Sequence, residues 1–343
     1  MDPVARVSAV LRAAARIADP HDPLGIEARR RLPATSDLSP PNVDLALRRH
    51  LEIDLEAAPA LVAWAEKNEP CPRTHLLLAA NVCTGALRAI ACAAAASPSV
   101  VVRPSRRDPV LSELLVAALE QAGHPFATLT PELDPAPGET VHVFGSDETV
   151  KAQRAQLPPG TLFWGHGHGF GVAHVDAAAD LTLAARAFAD DLVPFDGRGC
   201  LSPRVVIVEG GVARARAFAQ AASTALTALA IPRGPLADDE AAALTRFRRT
   251  MAAIGEVFET DHHLLALDPA PEALALGPAA RVATILPDAS PLASVRRSIT
   301  AVGHTGPAPT DLAPASARFT PLGRMQRPPL DGPVDRRARP ERL

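Results

Sequence analysis

Residues 74–105 read "THLLLAANVCTGALRAIACAAAASPSVVVRPS", and the fold class follows from this stretch. The apolar run "THLLLAAN" reads as a buried strand that ends at Asn81. "CTGALRAIACAAAA" follows as a small-residue helix, and "SVVVRPS" as a second strand. Next, "DPVLSELLVAALEQAG" opens on Asp-Pro, a helix start signal, and closes on a glycine stop. Strands that alternate with helices in this way imply a largely parallel sheet covered on both faces.

The alternation continues on both sides. "TVHVFGS" is a further strand, "DETVKAQRAQL" a helix, "TLFWGHG" and "GVAHV" two strands, and "AAADLTLAARAFADDLV" a helix. Beyond Cys200 come the strand "RVVIVEG", helices over about 211–231 and 237–257, and the strand "RVATILP". Upstream, residues 1–70 read as helices, with one over 3–18 and more after the proline pair at 40–41. The ending "QRPPLDGPVDRRARPERL" is too polar for a core and is expected along the surface or partly disordered. Parallel sheets bind ligands beyond the carboxyl ends of their strands, which directs attention to Asn81, "RPSRRDP" and "FGSDE".

The 343 residues suggest about two domains, and the 47% hydrophobic and 21% charged residues are ordinary for a soluble protein. A net charge of −3 with no long basic block argues against nucleic acid. No apolar run approaches the ~20 residues that span a bilayer. The start, "MDPVARVSAVLRAAARIADP", lacks the pattern of a signal peptide, so the cytoplasm is the expected location. The four cysteines lack the spacing of a disulfide framework. Walker-type phosphate loops, G-x-S-x-G elbows, H-E-x-x-H and the G-x-G-x-x-G fingerprint are all missing. His166, His168 and His174 have no neighbouring cysteine or carboxylate to complete a zinc site, so no metal is expected.

Cys200 remains. It sits in "FDGRGC", a glycine-lined, charged turn, whereas intracellular cysteines are usually buried as small hydrophobes. With these features in place, the sequence resembles the aldehyde dehydrogenase superfamily, and within it the LuxC-type acyl-CoA reductases. The resemblance runs over about 74–210, with "RFTPLGRMQRPPLDGPVD" similar to that branch's C-terminal signature. It implies an α/β fold with a Rossmann-type cofactor domain (1–193, including the N-terminal helices), a smaller catalytic domain (194–310) and a Pro/Arg-rich end (311–343).

The resemblance also implies roles. "LLAANVC" places Asn81 where the superfamily holds an oxyanion, with alanine in place of its tryptophan. "RPSR" stands where the superfamily has Lys-Pro-Ser-Glu, so Arg103, Ser105 and Arg106 fall in the cofactor's ribose turn. An arginine there removes repulsion toward a 2′-phosphate and offers bidentate donors, which favours NADPH; the bland reading is a solvated arginine pair at a helix start. Gly145 and Ser146 match the "TGS" at which a helix N-terminus meets pyrophosphate, though the same pattern is an ordinary N-cap. Cys200 matches the nucleophile of "GQxC", with Arg198 a candidate for lowering its pKa.

The deacylating glutamate of "ELGGK" has no counterpart in "FWGHGHGFGVAHV", so acyl transfer from CoA is favoured over hydrolysis. His166 is a candidate for positioning or proton transfer. Together these imply NADPH-dependent reduction of a fatty acyl-CoA to the aldehyde through an acyl-enzyme on Cys200. A reductase of a carrier-bound or small acyl thioester or acyl phosphate stays open. So does a catalytically silent nucleotide-binding scaffold. A homo-oligomer or a partner enzyme is compatible with each.

Overall fold

The computed structural model describes all residues, 1–343, and divides into two compact units. The first comprises Met1–Ser36, Val43–His168 and Pro329–Leu343; the second comprises Asp37–Asn42 and Gly169–Pro328. These limits differ from a cut at 193/194 with 311–343 set apart. One of the chain's crossings between the units falls between two strands separated only by Gly167-His168-Gly169, and no change of composition marks it.

Helices α1 (Pro3–Ala18), α2 (Pro23–Ser36), α3 (Pro40–Arg49) and α4 (Ala58–Ala65) precede the first sheet. In α1 the Asp2 carboxylate accepts the Ala5 N–H at 2.9 Å and Pro3 occupies the first turn, both favourable at a helix start. Val7, Val10, Leu11, Ala14 and Ile17 recur at helical spacing and are fully buried against α5 (Gly85–Ala96) and α6 (Val110–Gln121).

The first sheet contains β1 (Thr74–Leu77), β2 (Val100–Arg103), β3 (Ala127–Leu129), β4 (Thr140–Phe144) and β5 (Leu162–His166), with α7 (Asp147–Arg154) between the last two. All five strands are parallel, in the order β5-β4-β1-β2-β3. The order reverses between β1 and β4, and at such a switch point the loops at the carboxyl ends diverge and leave a crevice. The turns bearing Asn81, Arg103–Arg106 and Gly145-Ser146 all leave this edge.

The second unit holds β6 (Phe170–Val175), α8 (Leu181–Leu192), β7 (Pro203–Val208), α9 (Val212–Ala228), α10 (Asp238–Ile254), β8 (Glu256–Thr260), β9 (His263–Leu267), β10 (Val282–Leu286), β11 (Ile299–His304) and β12 (Arg318–Pro321). Their order is β12-β11-β6-β7-β10-β9-β8, and only β8, against β9, is antiparallel. Phe170, Val172, Val205, Ile207, Leu286, Ile299 and Val302 form one core cluster, as expected of near-continuous apolar strands covered on both faces.

Of the two outcomes expected for the C-terminal stretch, a course along the surface or partial disorder, the structure has the first. Glu341–Arg342 form β13, which pairs antiparallel with β5 and covers that sheet edge. Leu343 packs beside Val141, Val143 and Phe163. Arg88, 3% exposed, donates to the carbonyls of Pro329 and Gly332, both at 2.9 Å. Backbone pairing and a buried cation hold a segment whose composition promises no core of its own.

Candidate functional site

In the first unit, Asn81 lies exposed in the turn between β1 and α5, with its amide not hydrogen-bonded within the chain. A cavity of about 400 Å³ opens between the turn after β2 and the loop after β3. Arg103, Ser105 and Arg106 line one wall, Leu129 and Glu132 the other, and Glu113 of α6 completes it. Neither the Arg103 nor the Arg106 guanidinium is engaged in an ion pair. An open recess with two uncommitted arginines fits a phosphorylated ribose.

The turn after β4 is less open to an anion. Ser146 caps α7 by accepting the Thr149 N–H at 3.2 Å. Asp147 and Glu148 occupy the first helical turn, where they already complement its positive end. The Asp147 carboxylate is also turned to the His168 N–H at 2.8 Å. The Gly145 N–H is already donated to the His166 carbonyl at 3.2 Å, so any phosphate here would meet the Ser146 backbone in the presence of two acids.

His166 ends β5 with 5% exposure. Its Nε2 lies 3.1 Å from Nδ1 of His142, and its ring stacks on Phe144 at 4.2 Å. Burial holds its pKa down at about 4, with Asp335 opposing and Arg337 reinforcing the shift. Burial likewise holds His142 well below the ordinary value. At neutral pH His166 is therefore a neutral imidazole.

A base whose folded-state pKa is depressed stabilises the fold above its unfolded value and loses that contribution as pH falls through the folded one. Stability should thus decline from about pH 6.5 toward about pH 4, with His166 contributing roughly 3 kcal/mol of the loss. Urea unfolding across this range should show a shallower decline in His166→Phe than in the parent. Identical slopes would refute the assignment.

In the second unit, Cys200 is partly exposed in the loop before β7, whereas Cys71, Cys83 and Cys92 are buried. Burial and the Asp108 charge push the Cys83 thiol far up, which makes it unreactive. The cysteine loop is anchored at Asp196, which is fully buried. Its Oδ1 accepts from Asn42 Nδ2 and Arg281 Nε, each at 2.8 Å, and its Oδ2 accepts the Gly234 N–H at 2.9 Å. Phe195, Asp196 and Gly197 all have positive φ, and this anchoring holds the strained run in place.

Two further side chains hold the loop from the cysteine outward. β11 is bulged between Ile299 and Ala301, and the extra residue, Thr300, shares its single hydroxyl proton between the carbonyls of Phe170 and Cys200. Gln326 Nε2 donates to Ser202 Oγ and to the Asp191 carbonyl, both at 3.0 Å. Gly171 has no room for a side chain, since a Cβ there would sit 2.3 Å from the Leu201 carbonyl oxygen.

Arg198 is itself committed to the loop's anchoring. Its guanidinium pairs with Glu240 at 3.0 Å and donates to the Asp37 carbonyl at 3.1 Å, with the side chain 6% exposed. It fastens the loop to α10. Thr300, Gln326, Asn42 and Arg281 carry no local signal in the sequence; only folding brings them to the loop.

The family model for acyl-CoA reductase (LuxC) matches residues 47–270, well over half the chain and inclusive of every candidate residue named above from Asn81 to Cys200. The chain belongs to the LuxC family of acyl-CoA reductases. Membership makes this LuxC-family protein an oxidoreductase acting on acyl or aldehyde groups. No curated protein matches the sequence. Among solved structures, it is similar to a NAD-dependent benzaldehyde dehydrogenase from Corynebacterium glutamicum (14% identity, 99% of this chain and 84% of that one, TM-score 0.70). It is also similar to a Mycobacterium tuberculosis aldehyde dehydrogenase complexed with NAD+ (13% identity, 99% and 85%, TM-score 0.71). A third is aldehyde dehydrogenase 21 from Physcomitrella patens in complex with succinate (11% identity, 99% and 85%, TM-score 0.73). The LuxC-family chain thus has the aldehyde dehydrogenase fold. No helix is long and apolar enough to cross a membrane.

Proposed function

We propose that this LuxC-family protein reduces a fatty acyl-CoA to the aldehyde through a thioester on Cys200, with NADPH as reductant. The observation that carries this reading is the placement of Cys200. It is the one cysteine that is not buried, and it stands on a loop held by Asp196, Thr300 and Gln326.

The Cys200 thiolate attacks the thioester carbonyl and forms a C–S bond, and by the family resemblance the Asn81 amide is assigned the negative charge on oxygen. Collapse expels CoA as its thiolate and leaves the acyl-enzyme. Bound NADPH supplies the hydride that turns this acyl group into a thiohemiacetal. Cleavage of its C–S bond then releases the aldehyde and regenerates the Cys200 thiol. The balance is one acyl-CoA, one NADPH and one proton consumed for one aldehyde, one CoA and one NADP+.

His166, buried and neutral, is assigned a positioning role at the end of β5 instead of that of a cationic acid. Arg103, Ser105 and Arg106 are assigned the 2′-phosphate of the cofactor, and the turn at Gly145 and Ser146 its pyrophosphate.

The cofactor assignment has a direct test. Arg106→Glu should weaken NADPH binding by roughly tenfold or more while leaving NADH binding near its starting value, because a carboxylate repels the 2′-phosphate and accepts from ribose hydroxyls. Equilibrium titration of both cofactors measures this. An unchanged preference would overturn the assignment.

A further inference from the structure

We propose that Arg31, on α2, determines specificity for the 2′-phosphorylated cofactor without touching it, by neutralising Glu113 on the cavity wall. The inference rests on the cofactor reading above. Glu113 lies in the first turn of α6 and lines the same cavity as Arg103 and Arg106. A carboxylate there opposes the phosphate that the two arginines attract. Arg31 Nη2 lies 2.5 Å from Glu113 Oε2, and Arg31 Nε lies 3.9 Å from Glu27.

The supporting helix is fixed in place. One turn farther along α2, Thr35 Oγ1 donates to Asp108 Oδ1 at 2.8 Å, in the stretch that leads from Arg106 into α6. Two contacts thus tie α2 to the segment bearing the cofactor arginines. Of the two lining acids, Glu132 is exposed, so water screens it, and Glu113 is the one paired with a cation. With the pair intact the wall presents two arginines against one screened carboxylate.

Arg31 and Glu113 are themselves about one-third exposed, so the effect is moderate and depends on salt. Arg31→Met should weaken NADPH roughly fivefold at low ionic strength and leave NADH unchanged, because only the former brings a phosphate beside Glu113. A pair that merely clamped α2 to α6 would alter both cofactors equally.

The experiment is an equilibrium titration by nicotinamide fluorescence with NADPH and with NADH, at low and at high salt. It compares the parent protein with Arg31→Met, Arg31→Lys, Glu113→Gln and the double variant Arg31→Met/Glu113→Gln. The expected result is a loss confined to NADPH in Arg31→Met, smaller in Arg31→Lys, restored in the double variant and reduced by salt. Equal losses for both cofactors, or no restoration in the double variant, overturn the proposal. If Arg31→Met does not fold, Glu113→Gln decides alone: NADPH bound as tightly or more tightly supports the role, and weaker binding overturns it. Arg106→Glu is titrated in parallel, and an unchanged cofactor preference there removes the cofactor reading and this inference with it. A normal Arg106→Glu response beside an indifferent Arg31→Met overturns only the role of Arg31.

Discussion

Cys200→Ala is expected to bind NADPH as the parent does and to reduce acyl-CoA at least about 10³-fold more slowly, because no other group in the loop can form the thioester. The loss should fall on kcat, since the substituted atom bonds to substrate only during reaction. Incubation with a radiolabelled fatty acyl-CoA in the absence of reductant should label the parent protein and not the variant. Cys83→Ala provides the control: its thiol is buried and pushed far up by that burial, so labelling and turnover should persist. NADPH consumption and acyl transfer that survive in Cys200→Ala would remove the covalent mechanism. Labelling that moves to another residue in the parent would do the same.

The candidate site residues are legible in the sequence because they lie where local pattern is strongest. Asn81, Arg103 and Arg106 each follow a short apolar run, and the parallel order of β1, β2 and β4 places their turns on one edge. Cys200 stood out because its neighbours are glycine and charge. What holds Cys200 was not legible, since Asn42 is 154 residues from Asp196, Arg281 is 85 away, and Gln326 is 124 from Ser202. Such contacts are made by topology and leave no periodic trace.

Arg198 shows the related limit on side-chain direction. It lies two residues from the sulfur in sequence, yet its guanidinium reaches Glu240. The same distinction separates the strands. β1, β2, β4 and β10 are mostly apolar runs of four or five residues, whereas β3 has three residues and β13 two, and sheet pairing alone makes strands of them. The polar C-terminal stretch lies along the surface for the same reason: its order comes from β5 and Arg88, not from its own composition.

The largest stability loss is expected at Asp196. Asp196→Ala removes the partner of Arg281, whose side chain is 2% exposed and whose guanidinium lies 2.7 Å from the Asp196 carboxylate. It also strips the acceptor from the Gly234 N–H and one of two from Asn42 Nδ2, which keeps the Val193 carbonyl at 3.0 Å. Breaking one side of a buried ion pair costs about 3–5 kcal/mol, most of it from the charge left without a counterion. Arg281 keeps the carbonyls of Ile231 at 2.6 Å and Pro232 at 3.2 Å, which temper the loss without cancelling the charge. The double variant Asp196→Ala/Arg281→Met should therefore recover much of the stability, because removing both charges also removes their desolvation. Urea unfolding of the parent, both single variants and the double yields the coupling energy. A double variant as unstable as the two single losses added together would show that Asp196 acts through the positive-φ backbone alone and not through its ion pair. Recovery of stability without recovery of Cys200 labelling would instead place the charge pair in the service of loop geometry, because a cysteine loop released from Asp196 keeps its thiol but not its aim.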